Sequence, residues 1–139
     1  MENITAADFM DSSPLAFGPD IGVIVALRQL LAANLSGAPV VDRDQRLVGF
    51  LSEADCLRGT LMGGYYGTVG ELVRDRMTRQ VESVAPATNI VDVAARFLDS
   101  NRRVLPVVQD GRVVGLIDRR GLLQVLLQQV DNKRRHVAA

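Results

Sequence analysis

The chain has 139 residues, 47% of them hydrophobic, with 16 basic and 16 acidic side chains and a single cysteine. That apolar content suffices for one buried core, while zero net charge supplies no general field for nucleic acid or anionic lipid. Lone Cys56 excludes an internal disulfide, and 4% aromatic residues with no Trp argue against a stacking surface for single-stranded nucleic acid.

The first residues lack a charged-then-apolar signal segment, and the most apolar run, Ile21 to Leu35, is broken by Arg28, Gln29 and Asn34. A cytoplasmic chain with no membrane span is therefore expected. Thr5 is positioned to cap a short helix with Ala6, Ala7, Phe9 and Met10 on one side, ended by Asp11-Ser12-Ser13-Pro14. Leu15-Ala16-Phe17 reads as a minimal strand, and Gly18-Pro19-Asp20 turns the chain into a helix capped by Asp20 and ending near Ala33. That helix is apolar nearly all round, so it is expected either inside the fold or against a second subunit.

Two apolar runs, Ala38 to Val41 and Leu47 to Phe50, flank the polar turn 42–46 and read as a hairpin feeding a helix that begins at Ser52. A glycine-rich stretch from Thr60 to Thr68 reads as a boundary between halves. Thr68 and Glu71 have capping-box spacing for a helix over Val69 to Met77, and a short strand follows with Val81 and Val84 as its apolar members. Thr88 is read as the cap of an amphipathic helix carrying Ile90, Val93, Ala94, Phe97 and Leu98. A second hairpin turns at Asp110-Gly111, and a last helix carries Leu122, Leu123, Val125, Leu126, Leu127 and Val130. Asp131 to Ala139 reads as a solvated tail.

The same pattern is written twice. Met10 and Met77, Pro19 and Pro86, and Pro39 and Pro106 each stand 67 positions apart, whereas Gly49 and Gly115 stand 66 apart because the second turn is one residue shorter. Repeat one is assigned to 1–60, a linker to 61–68, repeat two to 69–131 and a flexible tail to 132–139. The fold class expected is α/β (α+β), each repeat β-α-β-β-α with a leading helix. Neither half can cover its own sheet, so the two should pack face to face about a pseudo-two-fold axis and leave a cleft.

Leu105-Pro106-Val107-Val108 answers Ala38-Pro39-Val40-Val41, and Val114-Gly115-Leu116-Ile117 answers Val48-Gly49-Phe50-Leu51. With the paired Met and Pro residues, these strands resemble the tandem cystathionine-beta-synthase (CBS) domain pair, or Bateman module, over about nine tenths of the chain. The resemblance implies a regulatory protein without chemistry of its own that binds AMP, ADP, ATP or S-adenosylmethionine between the repeats. The family pattern Gly-h-h-[ST]-x-x-Asp is matched at Gly49, Ser52 and Asp55, which implies that Asp55 holds ribose hydroxyls while Ser52 assists. Repeat two carries Asp118 and Gly121 at these places, so one principal site per chain is implied. Arg102 and Arg103 are implied as phosphate contacts from the facing repeat, with adenine among Phe50, Leu51 and the strand Val81 to Val84, Ser83 included. Glu53 would repel a phosphate chain, which favours a monophosphate or a cationic adenosyl ligand over ATP.

Bland readings stand beside these. Ser52-x-x-Asp55 is also a capping box, and Arg102 and Arg103 could be a solvated helix end. Arg119 and Arg120 read as surface residues, Tyr65-Tyr66 as part of the linker, Cys56 as a small buried apolar residue and His136 as part of the tail. No phosphate loop, nucleophile motif or metal spacing is present, so no enzyme activity and no metal are expected. Excess apolar surface on helices 20–33 and 121–130 points to a homodimer, and the main alternative to ligand sensing is a ligand-free assembly module.

Overall fold

The computed structural model describes residues 3–138, with side chains described throughout except at 62–69 and 136–138. Its elements run α1 (Ala6–Phe9), α2 (Val23–Ala32), β1 (Gly37–Val41), β2 (Leu47–Ser52), α3 (Glu53–Val69), α4 (Val73–Arg76), α5 (Ile90–Ser100), β3 (Val104–Gln109), β4 (Arg112–Asp118) and α6 (Arg119–Ala138). Both hairpins are antiparallel and share one register. Gly37 faces Ser52 and Pro39 faces Phe50 in the first, Val104 faces Asp118 and Pro106 faces Leu116 in the second, and each slips by a residue between its consecutive valines, Val40 and Val41 or Val107 and Val108. The expected short strands shrink to single parallel bridges, Phe17 to Val40 and Val84 to Val107.

The leading helices are exchanged between the repeats. Ala6 N–H donates to the Thr88 carbonyl, Ile90 N–H to that of Ile4, and Asp11 and Leu116 exchange two backbone bonds, so α1 belongs to the second sheet. Conversely, Val73 N–H donates to the Ile21 carbonyl, Val23 N–H to that of Glu71, and Phe50 and Thr78 exchange two bonds. One core therefore joins Ala6 to Ile90, Phe97, Leu105 and Ile117, and the other joins Val73 to Leu30, Val40, Leu51 and Cys56. A third cluster of Phe50, Val104 and Leu116 closes the seam between the repeats. At the hairpin tips, Leu47 N–H reaches the Gly111 carbonyl and Val113 N–H that of Gln45.

Several local expectations are corrected. The segment 61–68 lies within α3, because glycine lowers helix propensity by about 1 kcal/mol rather than forbidding a helix and no proline interrupts the run. Likewise 132–138 continues α6 where a flexible tail was expected; neither Gly nor Pro ends the helix, and basic residues near its C-terminus suit the helix dipole. Asp20 does not cap α2, which starts after Gly22; it pairs with Arg74 instead. Asn89 rather than Thr88 caps α5, accepting from Asp92 N–H at 2.9 Å. The helix expected over Val69 to Met77 is confined to Val73–Arg76, where Asp75 accepts from Leu72 N–H at 2.9 Å and Glu71 pairs with Arg76; the Thr68 side chain of the expected capping box lies outside the described residues.

Candidate functional site

The handover from β2 to α3 fixes the first wall of the site. Ser52 Oγ accepts from Asp55 N–H at 3.1 Å while Asp55 Oδ2 accepts from Ser52 N–H at 3.0 Å, a reciprocal cap that locks both side chains over the first turn. The bland capping reading is thus real, and it coexists with exposure of both residues to a cavity of about 840 Å³. Asp55 itself is 6% exposed, and Arg58 donates to its other oxygen. A carboxylate so far from water requires such partners.

Repeat two supplies the opposite wall. Helix α5 ends at Asn101, whose φ of 52° turns the chain sharply and delivers Arg102 and Arg103 ahead of β3. The Arg102 guanidinium stands 6.0 Å from the Phe50 ring centroid, within cation–π range. Ser52, Asp55, Phe50, Arg102 and Arg103 therefore line one cavity together with Glu53, Arg58, Thr78 and Asn101.

Leu51, Val81, Ser83 and Val84 are not brought there. Successive residues of β2 face opposite sides, so Phe50 looks into the seam while Leu51 is fully buried in the core of repeat one. Val84 pairs with Val107 inside the core of repeat two, Val81 packs against the seam cluster of Phe50, Val104 and Leu116, and the Ser83 carbonyl accepts from Arg96. Thr78 occupies the place expected of that strand, because its backbone pairs with Phe50 through two 2.8 Å bonds. Sequence reading missed Thr78, Arg58 and Asn101; the equivalence of Met10 and Met77 was the signal that could have located Thr78.

Cys56 also lines the cavity, and burial first, then the charges of Asp55 and Glu53, push its thiol pKa up. Among the described residues no group of three His, Cys, Asp or Glu side chains could hold a metal, and no helix is long and apolar enough to cross a membrane. The side chains of Tyr65, Tyr66 and His136 lie outside the described residues. In the second half, Asp118 accepts from Arg120 N–H at 2.8 Å and Gly121 leaves open space where Asp55 has its acid.

The CBS domain family model matches residues 6–61 and 69–128. This chain belongs to the CBS-domain family. As a CBS pair it is 27% identical to the uncharacterised protein MJ1225 of Methanocaldococcus jannaschii over 89% of its length, and 32% identical to the chloroplastic CBS domain-containing protein CBSX1 of Arabidopsis thaliana over 79%. It spans 43% and 58% of those two relatives respectively. The crystal structure of CBSX2 in complex with AMP, an Arabidopsis thaliana CBS-pair protein, superposes with a TM-score of 0.78 at 33% identity, covering 90% of this CBS pair and 97% of that chain.

Proposed function

We propose that this CBS pair is a regulatory module that binds an adenosine-containing ligand in the Asp55 cavity and modulates a partner protein, with no catalysis of its own. One observation carries the reading: Ser52 and Asp55 from one repeat and Arg102 and Arg103 from the other line the same cavity, whose volume falls in the range of small-molecule sites. CBSX2, a relative at 33% identity, is a protein crystallised with AMP. In this reading Asp55 accepts the ribose hydroxyls, Ser52 assists, the two arginines hold phosphate and the base lies against Phe50.

The charges on the walls favour a short anionic tail. Glu53 is exposed on the cavity wall and opposes a long phosphate chain, so AMP is preferred over ATP, as energy sensing would require. S-adenosylmethionine is the cationic alternative. Calorimetric titration of AMP, ADP, ATP and S-adenosylmethionine into the full chain is expected to give AMP the lowest Kd, below millimolar; binding of none of the four would end the reading.

A cytoplasmic setting belongs to the same proposal, supported by a lone cysteine that cannot form an internal disulfide. A homodimer does too. The alternative of an assembly module is favoured by one feature: the repeats leave matching leucines uncovered, Leu31 and Leu98, Leu57 and Leu123, Leu61 and Leu127.

A further inference from the structure

Arg58 lies outside the Ser-x-x-Asp pattern, yet it holds the acid at the centre of the cavity. Its Nη2 donates to Asp55 Oδ1 while Ser52 N–H occupies Oδ2, so both carboxylate oxygens are already engaged. The two partners differ sharply in setting. Asp55 is 6% exposed and fixed by the helix cap, whereas the Arg58 side chain is 61% exposed and tethered three residues further along α3. A nearly dry carboxylate needs a compensating cation or strong donors, and Arg58 supplies them when the cavity holds nothing else. Ribose hydroxyls approaching Oδ1 compete with this guanidinium for the same oxygen. Once freed, its planar fork of donors still lines the cavity it shares with Arg102 and Arg103.

We infer that Arg58 is a specificity residue that neutralises Asp55 in the free protein, yields to the ribose diol and then pairs with the ligand's phosphate. Adenosine displaces the guanidinium and offers it nothing in return; a nucleoside monophosphate gives it a new partner. Arg58 therefore selects against the nucleoside and for the nucleotide. The inference rests on the reading that ribose meets Asp55.

The test is calorimetric titration of adenosine and AMP into the full-length wild type, Arg58→Met and Arg58→Lys. Arg58→Met is expected to tighten adenosine about 3-fold by removing its competitor and to weaken AMP about 5-fold, so that the preference for AMP falls roughly 15-fold. Arg58→Lys, which keeps the charge, retains most of the preference. Arg58→Gln serves in place of Arg58→Met should that variant not fold. If wild type binds AMP and the neutral variants shift both ligands by one factor, or neither, the inference is overturned while the nucleotide reading stands. If wild type binds neither ligand, the nucleotide reading fails and the role of Arg58 with it.

Discussion

Asp55 and Cys56 are adjacent in sequence and both buried, yet their environments make opposite demands. Asp55 accepts from Arg58 and from the Ser52 N–H, whereas Cys56 sits beside two acids, Asp55 and Glu53. Burial above all, with Asp55 and Glu53 behind it, disfavours the thiolate in the folded chain. In the unfolded chain the thiol ionises at its ordinary value of roughly 8.5. Between that value and the raised folded one the native state binds more protons than the unfolded state, so Cys56 makes stability fall as pH rises through that window. Urea unfolding of wild type and Cys56→Ala at several pH values from 7 to 10 is expected to show wild type ahead at neutral pH and the gap narrowing above about 8.5. A gap independent of pH would contradict the assignment. Burial of Cys56 was expected and its acidic neighbours Glu53 and Asp55 were legible in the sequence; the cap that fixes the Asp55 side chain at the start of α3 was established by the folded turn.

Among the elements, the exchanged leading helices have a sharp signature at two glycines. A Cβ at Gly49 would meet Met77 Sδ at 2.5 Å and the Thr78 carbonyl at 3.1 Å, and one at Gly115 would strike Met10 in the same way. Each methionine thus rides over the glycine of the repeat it does not belong to. Gly49→Ala is expected to cost about 1–3 kcal/mol through overpacking, and a substantial part should return in Gly49→Ala/Met77→Ala relative to the sum of the single changes. Strict additivity in this cycle would show that α4 does not seat on β2. The hairpins were legible because their signals are local: apolar runs around Pro39 and Pro106, and turn residues between. Exchange was not, since Met10 and Met77 mark equivalent positions without saying which sheet they cover. Helix limits near 68 and 132 were misread for a different reason. Composition speaks of propensity, and neither the modest penalty of a glycine nor an exposed charged run is enough to end a helix.

For the whole molecule, duplication alone would make the two clefts equivalent, and substitutions make them unequal. Arg102 and Arg103 on one wall correspond to Leu35 and Ser36 on the other, as Asp55 corresponds to Gly121. One cleft has an acid at the Asp55 position and a basic pair ahead of the facing strand, whereas the other has Gly121 and Leu35-Ser36 at those positions and keeps Asp118, Arg119 and Arg120 only at its own β4–α6 junction. The outer helices, by contrast, remain symmetric. Leu98 is 82% exposed and Leu31 64%, and each has its counterpart on the opposite repeat, which suits a self-complementary interface between two copies. Sedimentation at micromolar concentration is expected to give a dimer for wild type and a monomer for Leu98→Glu/Leu123→Glu; a wild-type monomer would remove the interface. The inequality of the clefts was visible in the sequence from Ser52, Asp55, Asp118 and Gly121, whereas the neutralisation of Asp55 by Arg58 required the folded turn.

The central claim is that a single carboxylate, Asp55, anchors the ligand of each chain. Titrating AMP into wild type and Asp55→Ala tests it most directly. Loss of charge-assisted hydrogen bonds worth about 1.5–3 kcal/mol predicts one site per wild-type chain and an affinity at least 10-fold weaker in the variant. Equal affinity in the two proteins, or two equivalent sites per wild-type chain, would contradict the account.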